Sequence, residues 1–231
     1  MNAVGSVPVS EPTCIVVIGM HRSGTSLVSG LLYRLGVNMG TAFRKPDRHN
    51  ATGYYEDIDF RDLNKMIINR AGGRWFNPPN PEDVSAAVKH YSDKVDALIE
   101  SKDGLWGFKD PRTVFTIHAL EHHLPEDTRF IRVSRNTLET VASLSRRASL
   151  KEYKRTDAHW YLIVRRYSDA IQGYLQRTAQ PVFSIEYERL LYRDTARDIV
   201  QRLAHFCDLD WRDDTLIANA MNLIAFRDND V

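Results

Sequence analysis

The chain alternates between two hydrophobic periods. Residues 14–19 (CIVVIG) are an unbroken, largely β-branched apolar run closed by glycine, which reads as a strand covered on both faces. Residues 25–36 (TSLVSGLLYRLG) change to helical spacing and stop at Gly36. Residues 37–40 (VNMG) suit a short extended piece, and a polar loop occupies 41–55. Residues 56–73 carry the period of an amphipathic helix ending on two glycines, and 77–103 predict a proline-punctuated loop entering one further helix. Strand patterns recur at 105–110 (LWGFKD), 128–135 (TRFIRVSR) and 182–187 (VFSIEY). Helical patterns alternate with them at 111–124, 136–148 and about 157–178, and twice more before the C-terminus. Repeated strand-to-helix units build a parallel sheet, so the expected fold is α/β, with a mainly parallel central sheet and helices on both faces.

Composition narrows this picture. The 231 residues are 43% hydrophobic, enough to bury one substantial core, so a single domain over 14–231 behind a flexible tail, 1–13, is the expected organisation. Net charge is only +1, so no global charge advertises nucleic acid or a membrane surface, and any anion site has to be local. Cys14 and Cys207 lack CxxC or metal-ligand neighbours and read as buried thiols of a reducing compartment. Neither a signal-peptide pattern nor an apolar run of about 18 residues occurs, which leads to the expectation of a cytoplasmic protein with no membrane span. Nothing in the sequence bears on oligomeric state.

The chemistry starts at residues 19–26, Gly-Met-His-Arg-Ser-Gly-Thr-Ser. This stretch has the G-x4-G frame of a nucleotide P-loop between a strand and a helix, but Thr25 stands where GxxxxGK[ST] has lysine. Successive backbone N–H groups and the positive end of the helix can still cradle an anion. A nucleoside triphosphatase also wants a strand ending in aspartate to hold magnesium; here the strand FIRV leads to Ser134 and Arg135. A transferred phosphoryl group carries enough charge to call for a metal, whereas a sulfuryl group can be handled by hydrogen bonds and fixed cations. The pattern points to a three-layer P-loop domain with a donor other than ATP and no metal. A purely structural strand-turn-helix would need the same glycines.

A second basic site follows. Residues 129–155 hold eight arginines and lysines against Glu139 and Glu152, a concentration of positive charge in a nearly neutral chain. Arg135 comes just after a strand and Ser143 eight residues later on the next helix, so both face the crevice at the carboxyl end of a parallel sheet. An arginine fork with a hydroxyl suits a dianionic phosphate. Arg146, Arg147, Lys151, Lys154 and Arg155 read instead as a solvated helix face.

Together these segments resemble a family. HRSGTSL (21–27) is similar to the 5′-phosphosulfate loop of sulfotransferases that use 3′-phosphoadenosine 5′-phosphosulfate (PAPS), and FIRVSRNTLETVASL (130–144) to their 3′-phosphate segment. VFSIEYERLLYRDTARDIVQRLAHFCDL (182–209) resembles the strand-helix segment whose tyrosine approaches the adenine, and GYYED (53–57) and WGFKDPR (106–112) resemble the bacterial branch. The resemblance implies that Arg22, Ser23, Gly24, Thr25 and Ser26 bind the 5′-phosphosulfate, with Arg22 also balancing charge during transfer. It likewise implies that Arg135 and Ser143 bind the 3′-phosphate and that Tyr187 lies near the adenine. The implied reaction is sulfuryl transfer to a hydroxyl, less readily an amine, of an unidentified acceptor. The glycine-rich C-terminal loop of the animal enzymes is not evident before Val231, and their catalytic lysine or histidine motifs do not align with this sequence.

A base must therefore be found among residues beside the sulfuryl group. Glu56 is the first candidate, although Glu56 or Asp57 is equally placed to cap the following helix. His21, inside the anion loop and titrating near neutrality, is the second. Asp110 before Pro111 reads as a helix N-cap, while Lys109 and Arg112 beside it reach toward donor or acceptor. Tyr54, Tyr55, Trp75, Phe76, Trp106, Trp160 and Tyr161 are candidates for an aromatic acceptor pocket, with 41–55 and RWFNPPNP (74–81) as its variable walls. Two rivals stand beside this reading: an atypical P-loop kinase, and a non-catalytic protein that keeps the nucleotide fold as an interaction module.

Overall fold

The first apolar run forms β1 (Thr13–Ile18), the strand on which the sheet is organised. A computed structural model of the protein describes residues 12–43, 45, 53–148 and 155–227. β1 pairs in parallel with β2 (Leu105–Lys109) on one side and β3 (Thr128–Ser134) on the other, and β4 (Val182–Glu186) pairs in parallel with β3. The order is β2-β1-β3-β4. Because successive strand residues point to opposite faces, β1 feeds two cores. Cys14, Val16 and Ile18 enter one cluster; Ile15 and Val17 enter the other.

Helices α2 (Ile58–Arg70), α3 (Pro81–His90), α4 (Ser92–Glu100), α5 (Thr113–Leu120), α6 (Thr137–Ala148) and α7 (Asp157–Leu175) contribute to the first cluster. Its centre is aromatic, with Phe60 stacked on Phe108 at 4.1 Å and Trp106 beside both. Each large apolar side chain buried there stabilises the fold by about 1.5–3 kcal/mol. The second cluster is closed by α1 (Thr25–Leu35), α8 (Arg193–Phe206) and α9 (Asp214–Met221). This is the expected three-layer α/β arrangement.

The site follows from this wiring. In register, Val17 lies opposite Lys109 and Ile18 opposite Arg132, so the carboxyl ends of β1, β2 and β3 share one edge. After β1 the chain enters α1 on one face; after β2 and β3 it enters α5 and α6 on the other. Neighbouring strands whose helices leave to opposite faces open a crevice between them. There is accordingly one crevice on each side of the loop that follows Ile18.

Several details depart from the sequence reading. The single helix expected within 77–103 is two, α3 and α4, broken at Tyr91. Val84, Ala87, Val88, Val95 and Ile99 hold one buried face through the break, so their period does not reveal it. Residues 37–40 make an isolated bridge, Asn38 to Trp106, rather than a strand. Asp110 does not cap a helix that starts at Pro111. It forms a turn ahead of α5, accepting from the Arg112 amide at 3.0 Å. Part of the polar loop 41–55, together with Lys151 and Lys154, lies outside the described residues. No helix among the described residues is long and apolar enough to cross a membrane.

Candidate active site

The loop after β1 is shaped by close packing. A Cβ on Gly19 would sit 2.6 Å from Thr25 Cγ2 and 2.7 Å from the Val133 carbonyl oxygen. Ser23 ties the loop to itself: its amide and its hydroxyl both donate to the Met20 carbonyl, at 3.2 and 2.7 Å. Arg22 (φ 70) and Gly24 (φ 95) adopt the left-handed region, which curls the chain over the head of α1. Gly24 caps α1 without a side-chain bond, and the first helical bond runs from the Val28 amide to the Gly24 carbonyl. The amides of that first turn and the positive end of the helix make an anion cradle. Thr25, at the position of the absent lysine, is buried.

On the β3 side, residues remote in sequence converge on this loop. Arg22 Nε donates to Ser143 Oγ at 2.9 Å, joining the loop to α6. Arg135, just past β3, donates from Nη1 to the Arg22 carbonyl at 3.1 Å and from Nη2 to Glu139 at 2.7 Å. Its Nε is buried with no hydrogen-bond partner. Its guanidinium lies 4.8 Å from the centre of the Tyr187 ring, a cation–π distance. Tyr187 opens the short 3-10 turn after β4 and packs on the loop so closely that a Cβ on Gly24 would be 2.2 Å from the ring.

On the β2 side lies a cavity of about 470 Å³ that reaches the loop at His21, Arg22, Thr25 and Ser26. Glu56 and Lys109 meet in its wall. Lys109 Nζ donates to Glu56 Oε1 at 2.7 Å and to Ser26 Oγ at 3.3 Å, with the Lys109 side chain 1% exposed and that of Glu56 10%. The capping function falls to the next residue, since Asp57 accepts from the Asp59 and Phe60 amides at the head of α2. Deeper, Asp110 is fully buried and bound by Arg112 through two 3.0 Å contacts from Nε and one from Nη2. Burial pushes the Asp110 carboxyl up, against the pull of Arg112, and the nearby Glu56 adds to the push.

His21 turns toward the same cavity, its ring 4.6 Å from that of Trp75 and 5.9 Å from that of Tyr167. Burial, and then the charges of Arg112, Arg147, Lys109 and Arg22, hold its pKa well below the ordinary 6.5. The imidazole is therefore neutral at physiological pH.

Two comparisons interpret this geometry. The chain matches the sulfotransferase family over residues 12–213, which is most of its length. The chain belongs to the sulfotransferase family. Its fold is shared by solved bacterial members at low identity. The sulfotransferase domain from the curacin biosynthetic pathway is 15% identical, with a TM-score of 0.53 over 86% of this chain and 74% of that one. The sulfotransferase domain of the Synechococcus PCC 7002 olefin synthase is 18% identical, with a TM-score of 0.53 over 91% and 78%. A sulfotransferase from Alicyclobacillus acidocaldarius is 14% identical, with a TM-score of 0.52 over 95% and 98%. No curated protein matches the sequence.

In this sulfotransferase the residues singled out by sequence fall into three groups. Arg22, Ser23, Gly24, Thr25, Ser26, Arg135, Ser143 and Tyr187 are brought together around the loop, and His21, Glu56, Lys109 and Arg112 around the adjoining cavity. Tyr55 joins neither group: its ring packs on Tyr33 and Phe43, over Gly30. Of the other aromatics, Tyr54, Trp75 and Trp160 line the cavity, Trp106 is core, and Tyr161 is 41% exposed. Phe76 packs against Trp75 and the Arg155 guanidinium.

Sequence reasoning missed Arg61 and Lys65, which line the cavity from α2, and it misread Arg147 as part of a solvated face. A signal for Arg147 was present, since it lies four residues after Ser143 on α6 and so shares its side of the helix. Arg61 and Lys65 have the same spacing, but nothing local says which side of α2 meets the cavity.

Proposed function

We propose that this sulfotransferase moves the sulfuryl group of PAPS to an acceptor hydroxyl and releases 3′,5′-ADP. The observation that carries the reading is the junction of Arg22, Arg135 and Ser143, which puts two guanidiniums and a hydroxyl against a glycine-bounded loop at a helix N-terminus. Such a set suits a nucleotide with anionic groups at both ends. In the proposed complex the amides of the loop, with Arg22, Thr25 and Ser26, take the 5′-phosphosulfate. Arg135, whose buried Nε has no partner, and Ser143 take the 3′-phosphate, and Tyr187 borders the adenine.

In the proposed reaction the acceptor oxygen attacks sulfur in line with the bridging oxygen. The new O–S bond forms as the S–O bond to the phosphate breaks. The hydroxyl proton passes to Glu56, and the electron pair leaves with the phosphate, where Arg22 and the loop amides hold its charge. Glu56 is favoured over His21 as the base. The Glu56 carboxylate borders the cavity and meets the Lys109 ammonium at 2.7 Å, whereas burial and neighbouring cations hold the His21 pKa well below 6.5 and set it against taking a proton. Lys109 also spans Glu56 and Ser26, so it links the proposed base to the donor loop. Fixed cations balance the charge, and the proposal assigns no metal.

Calorimetric titration with 3′,5′-ADP, and in parallel with ATP plus magnesium, tests the donor assignment on wild type and on Arg135→Ala. Metal-independent binding of 3′,5′-ADP that is lost in the variant is the expected result. Preference for ATP plus magnesium would replace this reading with a kinase, and binding of neither would favour an interaction module.

A further inference from the structure

The cavity beside Glu56 holds polar groups that the transfer step does not use. Trp160 is 1% exposed, and its Nε1 has no hydrogen-bond partner; His21 Nε2 is likewise buried and unpartnered. Both side chains line the cavity and belong to one aromatic wall, in which Trp75 packs against His21 at 4.6 Å and stacks on Trp160 at 5.8 Å and 12°. Buried ring nitrogens are nearly always satisfied by protein, water or ligand, so two in one wall mark where a bound molecule can hydrogen-bond.

Charge adds a second requirement. Six basic side chains line the cavity against two carboxylates, so its net charge is positive. Lys109, Arg112 and Arg61 each face a carboxylate, on Glu56, Asp110 and Asp62. Lys65 and Arg147 make no ion pair among the described residues. Lys65 is exposed and Arg147 half-buried, so an anionic group on the acceptor would gain charge-assisted contacts that a neutral or purely apolar acceptor forgoes. A volume of about 470 Å³ suits a small molecule.

We infer that the acceptor is a small ring-bearing alcohol that also carries a carboxylate, phosphate or sulfate. The ring lies on the Trp75–Trp160 wall, its polar substituents bond the Trp160 N–H and His21 Nε2, and Lys65 and Arg147 hold the anionic group. The inference rests on the sulfotransfer reading in that the hydroxyl is the group presented to Glu56. Recognition of the anion requires no nucleotide.

Two matched pairs of probes test it: methyl glucuronide against methyl glucoside, and 4-(hydroxymethyl)benzoate against 4-(hydroxymethyl)benzamide. Each is titrated into the full chain, with and without 3′,5′-ADP, and followed by tryptophan fluorescence and calorimetry. The charged member of at least one pair is expected to bind about tenfold or more tightly than its neutral partner, as one charge-assisted contact provides. Lys65→Gln and Arg147→Gln should each reduce that preference, and together abolish it, with 3′,5′-ADP affinity unchanged. Trp160→Phe keeps an aromatic ring in the wall but loses the N–H and part of the indole surface, so it should weaken both members of the pair alike.

Equal binding of charged and neutral members, no binding of the charged ones, or a preference that survives in the double variant overturns the inference. So does a loss of 3′,5′-ADP affinity in Arg147→Gln that tracks the loss of anion preference, since Arg147 would then serve the donor. If wild type fails to bind 3′,5′-ADP, the donor reading falls, and the nucleotide-free titrations still decide this one. The pair that shows the preference tells a sugar acid from an aromatic acid.

Discussion

Removing either partner of the Lys109–Glu56 pair should destabilise the protein, and by unequal amounts. The two groups meet at 2.7 Å, with side-chain exposures of 1% and 10%. Breaking a buried pair from one side costs about 3–5 kcal/mol, because the remaining charge is left without compensation. In Lys109→Met the orphan is Glu56, which borders the cavity and stays in the field of Arg112; water and that guanidinium soften the penalty, so about 3 kcal/mol is expected. In Glu56→Gln the orphan is Lys109, sealed from solvent and left with the Ser26 hydroxyl and a neutral amide. Its cost should lie toward the upper end, about 4–5 kcal/mol. The double variant removes both charges and should cost less than the sum, giving a coupling of about 2–3 kcal/mol. Equilibrium urea unfolding of the four proteins measures this cycle, with constant m-values as the check that one transition is compared throughout. Single variants that each lose under about 1 kcal/mol and simply add would refute the reasoning. The same proteins carry a chemical readout: turnover by Glu56→Gln should fall about 10²–10⁴-fold, the usual worth of a general base.

Three further outcomes follow from the geometry. Gly24→Ala places a Cβ 2.2 Å from the Tyr187 ring at φ 95, so it should abolish 3′,5′-ADP binding in calorimetry and lower stability by about 1–3 kcal/mol. Ser143→Ala removes the acceptor of the 2.9 Å bond from Arg22 Nε; a hydrogen bond to a charged group is worth about 1.5–3 kcal/mol, so stability in urea unfolding should fall by about that amount and turnover should drop at least about tenfold. His21 has a folded pKa well below 6.5, so the unfolded chain binds a proton that the folded one refuses. Its contribution to stability is full above pH 6.5 and is lost as pH falls below that value, at up to about 1.4 kcal/mol per pH unit. His21→Gln should lack that slope, so the difference between the two urea stability curves should change as pH falls below 6.5, and parallel curves would show that His21 does not titrate this way.

What the sequence determined by itself was everything that local spacing encodes. The strand at 13–18, the glycines at 19 and 24, and the alternation of strands with helices follow from hydrophobic period and turn chemistry, which act within a few residues. Parallel wiring then brings Arg135 and Ser143 to the loop, because the carboxyl ends of parallel strands share an edge. Tertiary structure alone decided which of two adjacent carboxylates does what. Glu56 and Asp57 are equivalent in sequence, yet one meets a lysine 53 residues away while the other caps its own helix. It also decided that His21 is neutral, since that depends on burial and on four cations, three of them drawn from other segments. Tyr54 and Tyr55 show the same division, the first lining the cavity and the second packing over Gly30. Arg61, Lys65 and Arg147 became cavity residues only when α2 and α6 took their places, because a helix period shows which side chains share a face and not what that face will meet.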